Sequence, residues 1–150
     1  MFVNLAGRRV LLVGAGPVGA SKLAALLAAG AKVTVVAPDI HVDVERTEKE
    51  GTITVYRRRF TGEDMHGAWL VVAAATPEVN REVAAAAEAR CVFVNAVDDP
   101  PNASAYLSGV VRRDGVTLAI STRGDAPGLT GLLREALDEV LPVDLGTWMD

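Results

Sequence analysis

The stretch that decides the fold is Arg9-Val10-Leu11-Leu12-Val13-Gly14-Ala15-Gly16-Pro17-Val18-Gly19. It opens as a short apolar run that ends at a glycine. Hydrophobicity without alternation marks a strand buried on both faces, as in the middle of a parallel sheet. The glycines then spell Gly-x-Gly-x-x-Gly between a strand and a helix, the context in which that pattern is informative. Gly14 permits a tight turn, Gly16 lets the backbone approach a pyrophosphate, and Gly19 allows close packing of helix on strand. An anion held there would rest on free N–H groups and on the positive end of the helix dipole. Pro17 removes one donor but pre-sets φ for the first helical turn. The competing reading is a glycine turn that binds nothing.

Outward from this turn the same grammar continues. Gly19 to Ala29 is rich in Ala and Leu and is closed by Gly30, which predicts a helix with a glycine stop. Lys32 to Ala37 reads as a second strand ended by Pro38. Strand, helix and strand fit within about 30 residues, so the strands should be parallel with a right-handed crossover. Asp43 to Gly51 is polar and reads as a short helix, and Thr52 to Tyr56 alternates as a third strand. Thr61-Gly62-Glu63-Asp64 leads into a short helical turn, and Trp69 to Ala74 is a buried fourth strand. Pro77 to Arg90 is an alanine-rich helix, capped by Thr76 with Pro77 at its first position. Cys91 to Val97 is the fifth strand, with Cys91 a small core residue in an apolar run. The fold class is α/β, a Rossmann-type doubly wound parallel sheet.

The grammar changes after Asp98. Asp98-Asp99-Pro100-Pro101-Asn102 is a turn cluster. Asp114-Gly115 separates the β-rich runs Ala105–Arg113 and Val116–Ser121, a strong signal for an antiparallel hairpin. Leu129 to Leu141 has its apolar residues at helical spacing and is ended by Pro142. The expected organisation is a dinucleotide-binding domain over 1–98, then a hairpin and helix over 99–150.

Composition narrows the function classes. The 150 residues are 50% hydrophobic and 23% charged, which suits a globular chain and argues against disorder. A net charge of −4 argues against non-specific nucleic-acid binding, which needs a basic face. The single cysteine allows no intrachain disulfide and fits a cytoplasmic home. The start of the chain is too short for a signal h-region, and no apolar run is long enough to span a membrane. His41 and His66 read as surface residues without partners at metal-ligand spacing, so no metal site is expected.

Three further places carry candidate chemistry. The acid that marks NAD should end the second strand, and the first acid there is Asp39, just past Pro38. Asp39 either reaches the ribose hydroxyls or caps the turn after Pro38. No arginine sits nearby to bind a 2′-phosphate, which favours NAD over NADP. Asp98-Asp99 lies at the carboxyl end of the fifth strand, the edge where open α/β sheets bind ligands. A carboxylate there is either a general base beside a nicotinamide or ordinary turn chemistry. Ser121-Thr122-Arg123-Gly124-Asp125-Ala126-Pro127-Gly128 is either an anion-holding loop with Arg123 as charge partner or a plain helix start.

Taken in order, these segments resemble a known family. Arg9–Gly19 is followed by Lys22, Val33–Pro38, Ala73-Ala74-Ala75-Thr76 with Asn80, Val94-Asn95-Ala96-Val97-Asp98-Asp99-Pro100, and Ile120–Leu129. The chain resembles the dehydrogenase/ferrochelatase domain of siroheme synthases, which oxidise precorrin-2 to sirohydrochlorin. The glycine turn is not specific to that family, but the Asn-x-Val-Asp-Asp-Pro and Ser-Thr-x-Gly-x-x-Pro segments behind it are. The resemblance implies an NAD-dependent dehydrogenase with a tetrapyrrole substrate, and ferrous iron as a further substrate where relatives also act as chelatases. It implies a homodimer built through the hairpin and last helix. By match of motif, Asp98 would be the catalytic aspartate. Gly14, Gly16, Gly19 and Thr76 would line the cofactor site, with Pro17-Val18 and Pro38-Asp39 as NAD-contacting pairs. Thr122 falls in the substrate region. The substrate's carboxylates call for cations, for which Lys22, Arg112, Arg113 and Arg123 are candidates and Arg58 and Arg59 weaker ones.

Two departures from the family stand out. Ser108-Gly109 occupies the first hairpin strand where relatives often have Pro-Ala or Pro-Ser. Relatives usually continue into a helical module that covers the substrate, and here that module is expected to be absent or truncated. An alternative function keeps the glycine turn without a catalytic acid: a regulatory module that senses NAD(H).

Overall fold

In the computed structural model, which describes residues 3–122 and 126–149, β1 (Arg9–Ala15) is the central strand of a five-stranded parallel sheet. On one side β2 (Lys32–Ile40) pairs with β1, and β3 (Thr54–Tyr56) lies outside β2. On the other side β4 (Leu70–Ala73) pairs with β1, and β5 (Phe93–Ala96) lies outside β4. The order β3-β2-β1-β4-β5 changes direction between β1 and β4, which opens a crevice at the carboxyl edge.

Three helices clothe this sheet: α1 (Pro17–Ala28), α2 (Val42–Lys49) and α3 (Pro77–Glu88). They explain why β1 is apolar throughout. Val10 and Leu12 pack with Leu23 and Leu26 of α1 and Val44 of α2. Leu11 and Val13 pack in a separate cluster with Met65 and with Val83 and Ala87 of α3. Successive side chains of a strand point to opposite faces, and here both faces are covered. Each such side chain fully buried contributes about 1.5–3 kcal/mol.

β2 does not stop at Pro38. Its register passes from Val13 opposite Val36 to Ala15 opposite Ile40, so β1 advances two residues while β2 advances four. Proline has no N–H for the ladder, and a bulge is where a strand accommodates it. The His41 N–H closes the strand end on the Ala15 carbonyl at 2.8 Å. Asp39 therefore sits within the strand rather than beyond it. His41 is half-buried rather than a plain surface residue, and its Nδ1 accepts the Asp43 N–H at 3.3 Å as the N-cap of α2.

The fifth strand begins at Phe93, not at Cys91. The Cys91 N–H donates to the Glu88 carbonyl at 3.1 Å and the Val92 N–H to the Ala87 carbonyl at 3.0 Å, a Schellman ending for α3. Cys91 takes its left-handed position, φ 54°, and is exposed rather than part of the core. α1 ends with the same pair of bonds around Gly30, φ 74°. An apolar run over residues 91–94 conceals a helix stop when no glycine announces it.

The chain divides into two compact units, Met1–Ala105 and Tyr106–Asp150. Ser104 and Ala105 belong to the first, since their N–H groups both donate to the Val94 carbonyl, at 2.9 and 2.8 Å. In the second unit β6 (Gly109–Arg113) and β7 (Val116–Ile120) form the expected antiparallel hairpin. Asp114 and Gly115 have φ of 47° and 83°, both positive as a type I′ turn requires. α4 (Pro127–Val140) follows. The Arg113 guanidinium donates to the carbonyls of Leu141 (2.8 Å) and Asp138 (2.7 Å) and to the Asp138 carboxylate (2.6 Å). It closes the open carboxyl end of α4. Arg113, a sequence candidate for binding substrate, is thus engaged in holding its own unit together. Among the described residues no helix is long and apolar enough to cross a membrane.

Candidate functional site

A cleft of about 700 Å³ opens at the carboxyl edge of β1, β2 and β4. The glycine turn from Gly14 to Gly16 lines it, with Val36 to Asp39 of β2 and Ala74 to Thr76 after β4. Glu78, Val79 and Glu82 of α3 and Arg59-Phe60 after β3 complete the wall.

The three glycines divide their work. Gly14 has φ 96°, and a Cβ on it would collide with the Ala74 carbonyl. A Cβ on Gly19 would collide with the Gly14 carbonyl. A Cβ on Gly16 would meet nothing within 4 Å. Gly14 and Gly19 are therefore demanded by the packing of turn, helix and neighbouring strand, while Gly16 leaves the space above the turn open. Gly16 is also the N-cap of α1, and Pro17 takes the first helical position. The first α1 bond runs from the Ala20 N–H to the Gly16 carbonyl at 2.9 Å. The N–H groups of Val18 and Gly19 precede it and have no acceptor within the helix. This cradle fits a pyrophosphate, whose oxygens such donors and the helix dipole favour.

The opposite wall is fixed by polar contacts at the start of α3. Thr76 caps the helix by accepting the Val79 N–H at 3.5 Å. The Glu78 carboxyl is held below the usual carboxylate range, chiefly by its own backbone N–H and then by the Thr76 hydroxyl. Asn80 is 2% exposed and accepts the Ala75 N–H at 3.2 Å, which holds the loop after β4 beside the glycine turn. Sequence reasoning assigned no role to Asn80. Its signal was present: it shares one helical stripe with Val83 and Ala87, a polar residue in an otherwise buried row.

Asp39 lies exposed at the end of β2 and lines the cleft. Arg59 lines the same cleft, which corrects the expectation that no arginine stands near Asp39. The two are distant in sequence but enter the same edge because β3 pairs with β2, Tyr56 opposite Val36.

Asp98 does not line the cleft. It follows β5 on the same sheet edge, where the Val97 N–H bonds the Ala73 carbonyl of β4 at 2.8 Å. Asp98 has φ 55°, a left-handed conformation that aspartate tolerates better than most residues. Its carboxylate is exposed and receives no hydrogen bond from a described residue. Asp99 differs: its two oxygens accept from the Asn102 side chain at 3.0 and 2.9 Å. The loop is anchored by Asn95, 7% exposed, whose Nδ2 donates to the Ala105 carbonyl at 2.9 Å. Within the motif, Asn95 and Asp99 hold the loop and Asp98 is left available.

The remaining candidates are scattered. Lys22 is half-buried on α1 and lies outside the cleft wall. Thr122 belongs to the second unit, where its hydroxyl contacts that of Thr130 at 3.0 Å and accepts the Ala126 N–H at 3.3 Å, bracing the start of α4. Arg123 lies outside the described residues. Among the described residues no three His, Cys, Asp or Glu side chains gather as metal ligands.

The family described as "Putative NAD(P)-binding" matches residues 1–109, the part of the chain that holds this cleft. The chain belongs to this NAD(P)-binding family. The matched stretch includes every residue that lines the cleft, and the cradle above Gly16 is open. The resemblance to siroheme synthases is also met. The siroheme synthase of Photorhabdus laumondii subsp. laumondii is 40% identical over 148 residues, 98% of this chain and 32% of that protein. That of Tolumonas auensis is 43% identical over 147 residues, 97% of this chain and 31% of that protein. The chain therefore spans about a third of the length of these curated relatives. Among solved structures, SirC, a precorrin-2 dehydrogenase, superposes with a TM-score of 0.76 at 25% identity, over 99% of this chain and 74% of SirC.

Proposed function

We propose that this chain carries the NAD-dependent oxidation of precorrin-2 to sirohydrochlorin in siroheme biosynthesis. The observation that carries the reading is the likeness to SirC over 99% of the chain, joined to an open dinucleotide cradle. NAD over NADP is supported by Asp39, a carboxylate at the end of the second strand inside the cleft.

The reaction removes a hydride and a proton from the reduced tetrapyrrole. NAD, when bound, supplies the hydride acceptor. Val18 and Gly19 N–H groups would hold its pyrophosphate, and the Thr76–Asn80 wall would keep the opposite side fixed. Asp98 takes the proton or holds the pyrrole nitrogens: its carboxylate is exposed, has no hydrogen-bond partner among the described residues and stands on the ligand-binding edge. Asp98, the cofactor set Gly14, Gly16, Pro17, Val18, Gly19, Pro38, Asp39 and Thr76, and Thr122, Arg123 and Lys22 on the substrate side form the proposed site.

The proposed organisation is an NAD-binding domain over 1–98 and a dimerisation region over 99–150. A cytoplasmic homodimer is part of the same reading, supported by the leucines that α4 leaves exposed. Ferrous iron would be a substrate where a chelatase step follows. The test is NAD reduction driven by precorrin-2, with wild type against Asp98→Ala. The expected result is turnover by wild type and a loss of about 100-fold or more in the variant, with NAD affinity retained. Equal rates remove Asp98 from its role, and no turnover in a chain of the relatives' length overturns the activity.

A further inference from the structure

Arg57, Arg58 and Arg59 are consecutive, yet only two of them are engaged. Arg57 makes a two-pronged ion pair with Glu48 at 2.9 and 2.6 Å. Arg58 does the same with Asp64 at 2.8 and 2.5 Å, and it also donates to the Arg59 carbonyl at 3.0 Å. Asp64 is itself held by the Thr61 N–H at 2.8 Å in a capping box. The backbone at Arg59 is thereby pinned by its neighbours. Its guanidinium is exposed, has no acceptor among the described residues, and lines the dinucleotide cleft.

The other charged groups of that cleft are Asp39, Glu78 and Glu82. Among the described residues Arg59 is the cation that lines this cleft with them, and it stands on the β3 side, beyond the strand that carries Asp39. In this fold the end of the second strand meets the adenosine ribose, where an acid favours a free 2′-hydroxyl and an arginine favours a 2′-phosphate. This cleft presents both. Resting on the nicotinamide-dinucleotide reading above, we propose that Arg59 is a specificity-determining residue that takes the 2′-phosphate of NADP. It works against Asp39, so the preference for NAD is a balance of two opposed charges rather than the absence of a cation.

The test is calorimetric titration of the wild-type chain and its variants with NAD and with NADP, reading the ratio of the two dissociation constants. Asp39→Asn should move that ratio toward NADP by about tenfold, the size of one charge-assisted contact. Arg59→Gln should move it toward NAD by a similar factor, and Arg59→Lys should restore part of the loss. In the Asp39→Asn/Arg59→Gln protein the ratio should return close to wild type. No described residue accepts a hydrogen bond from the Arg59 side chain, and Arg58 holds only its carbonyl, so an unchanged melting temperature separates a binding effect from misfolding. A ratio indifferent to Arg59→Gln in both backgrounds overturns the proposal and leaves the dinucleotide reading intact. A wild-type chain that binds neither nucleotide overturns both.

Discussion

The two compact units differ in how they bury apolar surface. Every fully buried hydrophobic side chain among the described residues, from Val10 to Ala96, belongs to the sheet unit, except Val111 of the hairpin. The hairpin unit leaves Leu129, Leu132 and Leu133 of α4 between 42% and 67% exposed, and Val140 79% exposed. The difference is one of layers. A sheet with helices on both faces closes two cores. One hairpin with one helix closes a single thin interface and has no second layer for the outer face of the helix. The hairpin unit compensates with polar clasps: Arg113 on the end of α4, Asp114 on the Gly146 N–H at 2.9 Å, and Thr122 on Thr130. Apolar contacts make the first unit, and a handful of hydrogen bonds shape the second.

The comparison breaks most sharply at Gly14. Gly14→Ala combines a left-handed backbone with a carbonyl collision and should destabilise the sheet unit by about 3 kcal/mol or more. Dinucleotide binding should be lost, and amide exchange should rise across β1–β5 while the 109–120 hairpin keeps its protection. Equal loss of protection in both regions would show one cooperative body.

Next is Asp64, whose side chain is 6% exposed and whose carboxyl is held below the usual carboxylate range, chiefly by the Arg58 guanidinium. Asp64→Asn should cost about 2 kcal/mol in urea denaturation. The sign for pH follows from the lowered value. The stabilisation is complete above the unfolded carboxylate pKa of about 3.9 and is lost as pH falls through the lower folded value. Acid unfolding of wild type should flatten in the variant across that window.

In the hairpin unit, Arg113→Met should leave the last carbonyls of α4 unpaired and cost about 1–2 kcal/mol locally. Faster exchange confined to α4 would support the clasp view, whereas a shift in the melting of β1–β5 would contradict it. Cys91→Gly should act in the other direction, raising stability by up to about 1 kcal/mol, because glycine tolerates the left-handed position that ends α3. Smallest of all, Leu132→Glu should change the stability of the chain by less than about 0.5 kcal/mol, since the side chain is 67% exposed. If α4 mates with a second copy, the same change should abolish the dimer in light scattering.

Much of the fold was legible in order. Five strands, three sheet helices, the hairpin and α4 all follow from periodicity, caps and breakers, because those signals are local. The errors also have local causes. Pro38 reads as a stop, yet β2 carries it in a bulge. Cys91 reads as core because a Schellman ending without glycine looks like the start of a strand. Asp98 and Asp99 are equivalent as letters, and only the bonds from Asn102 separate them.

By itself the sequence determined the sheet and its glycine turn, since an apolar run before Gly-x-Gly-x-x-Gly leaves the chain few other ways to bury its side chains. It also determined that the first two strands run parallel through a right-handed crossover, whereas the strand order came from the fold. Only the tertiary structure decided which charges share the cleft. Asp39 and Arg59 lie in separate segments, and they line one cleft because β3 is hydrogen-bonded to β2 and both leave the sheet at one edge. It likewise decided that Arg57 and Arg58 are paired while Arg59 has no ion-pair partner among the described residues, because ion pairing depends on what the fold brings within reach.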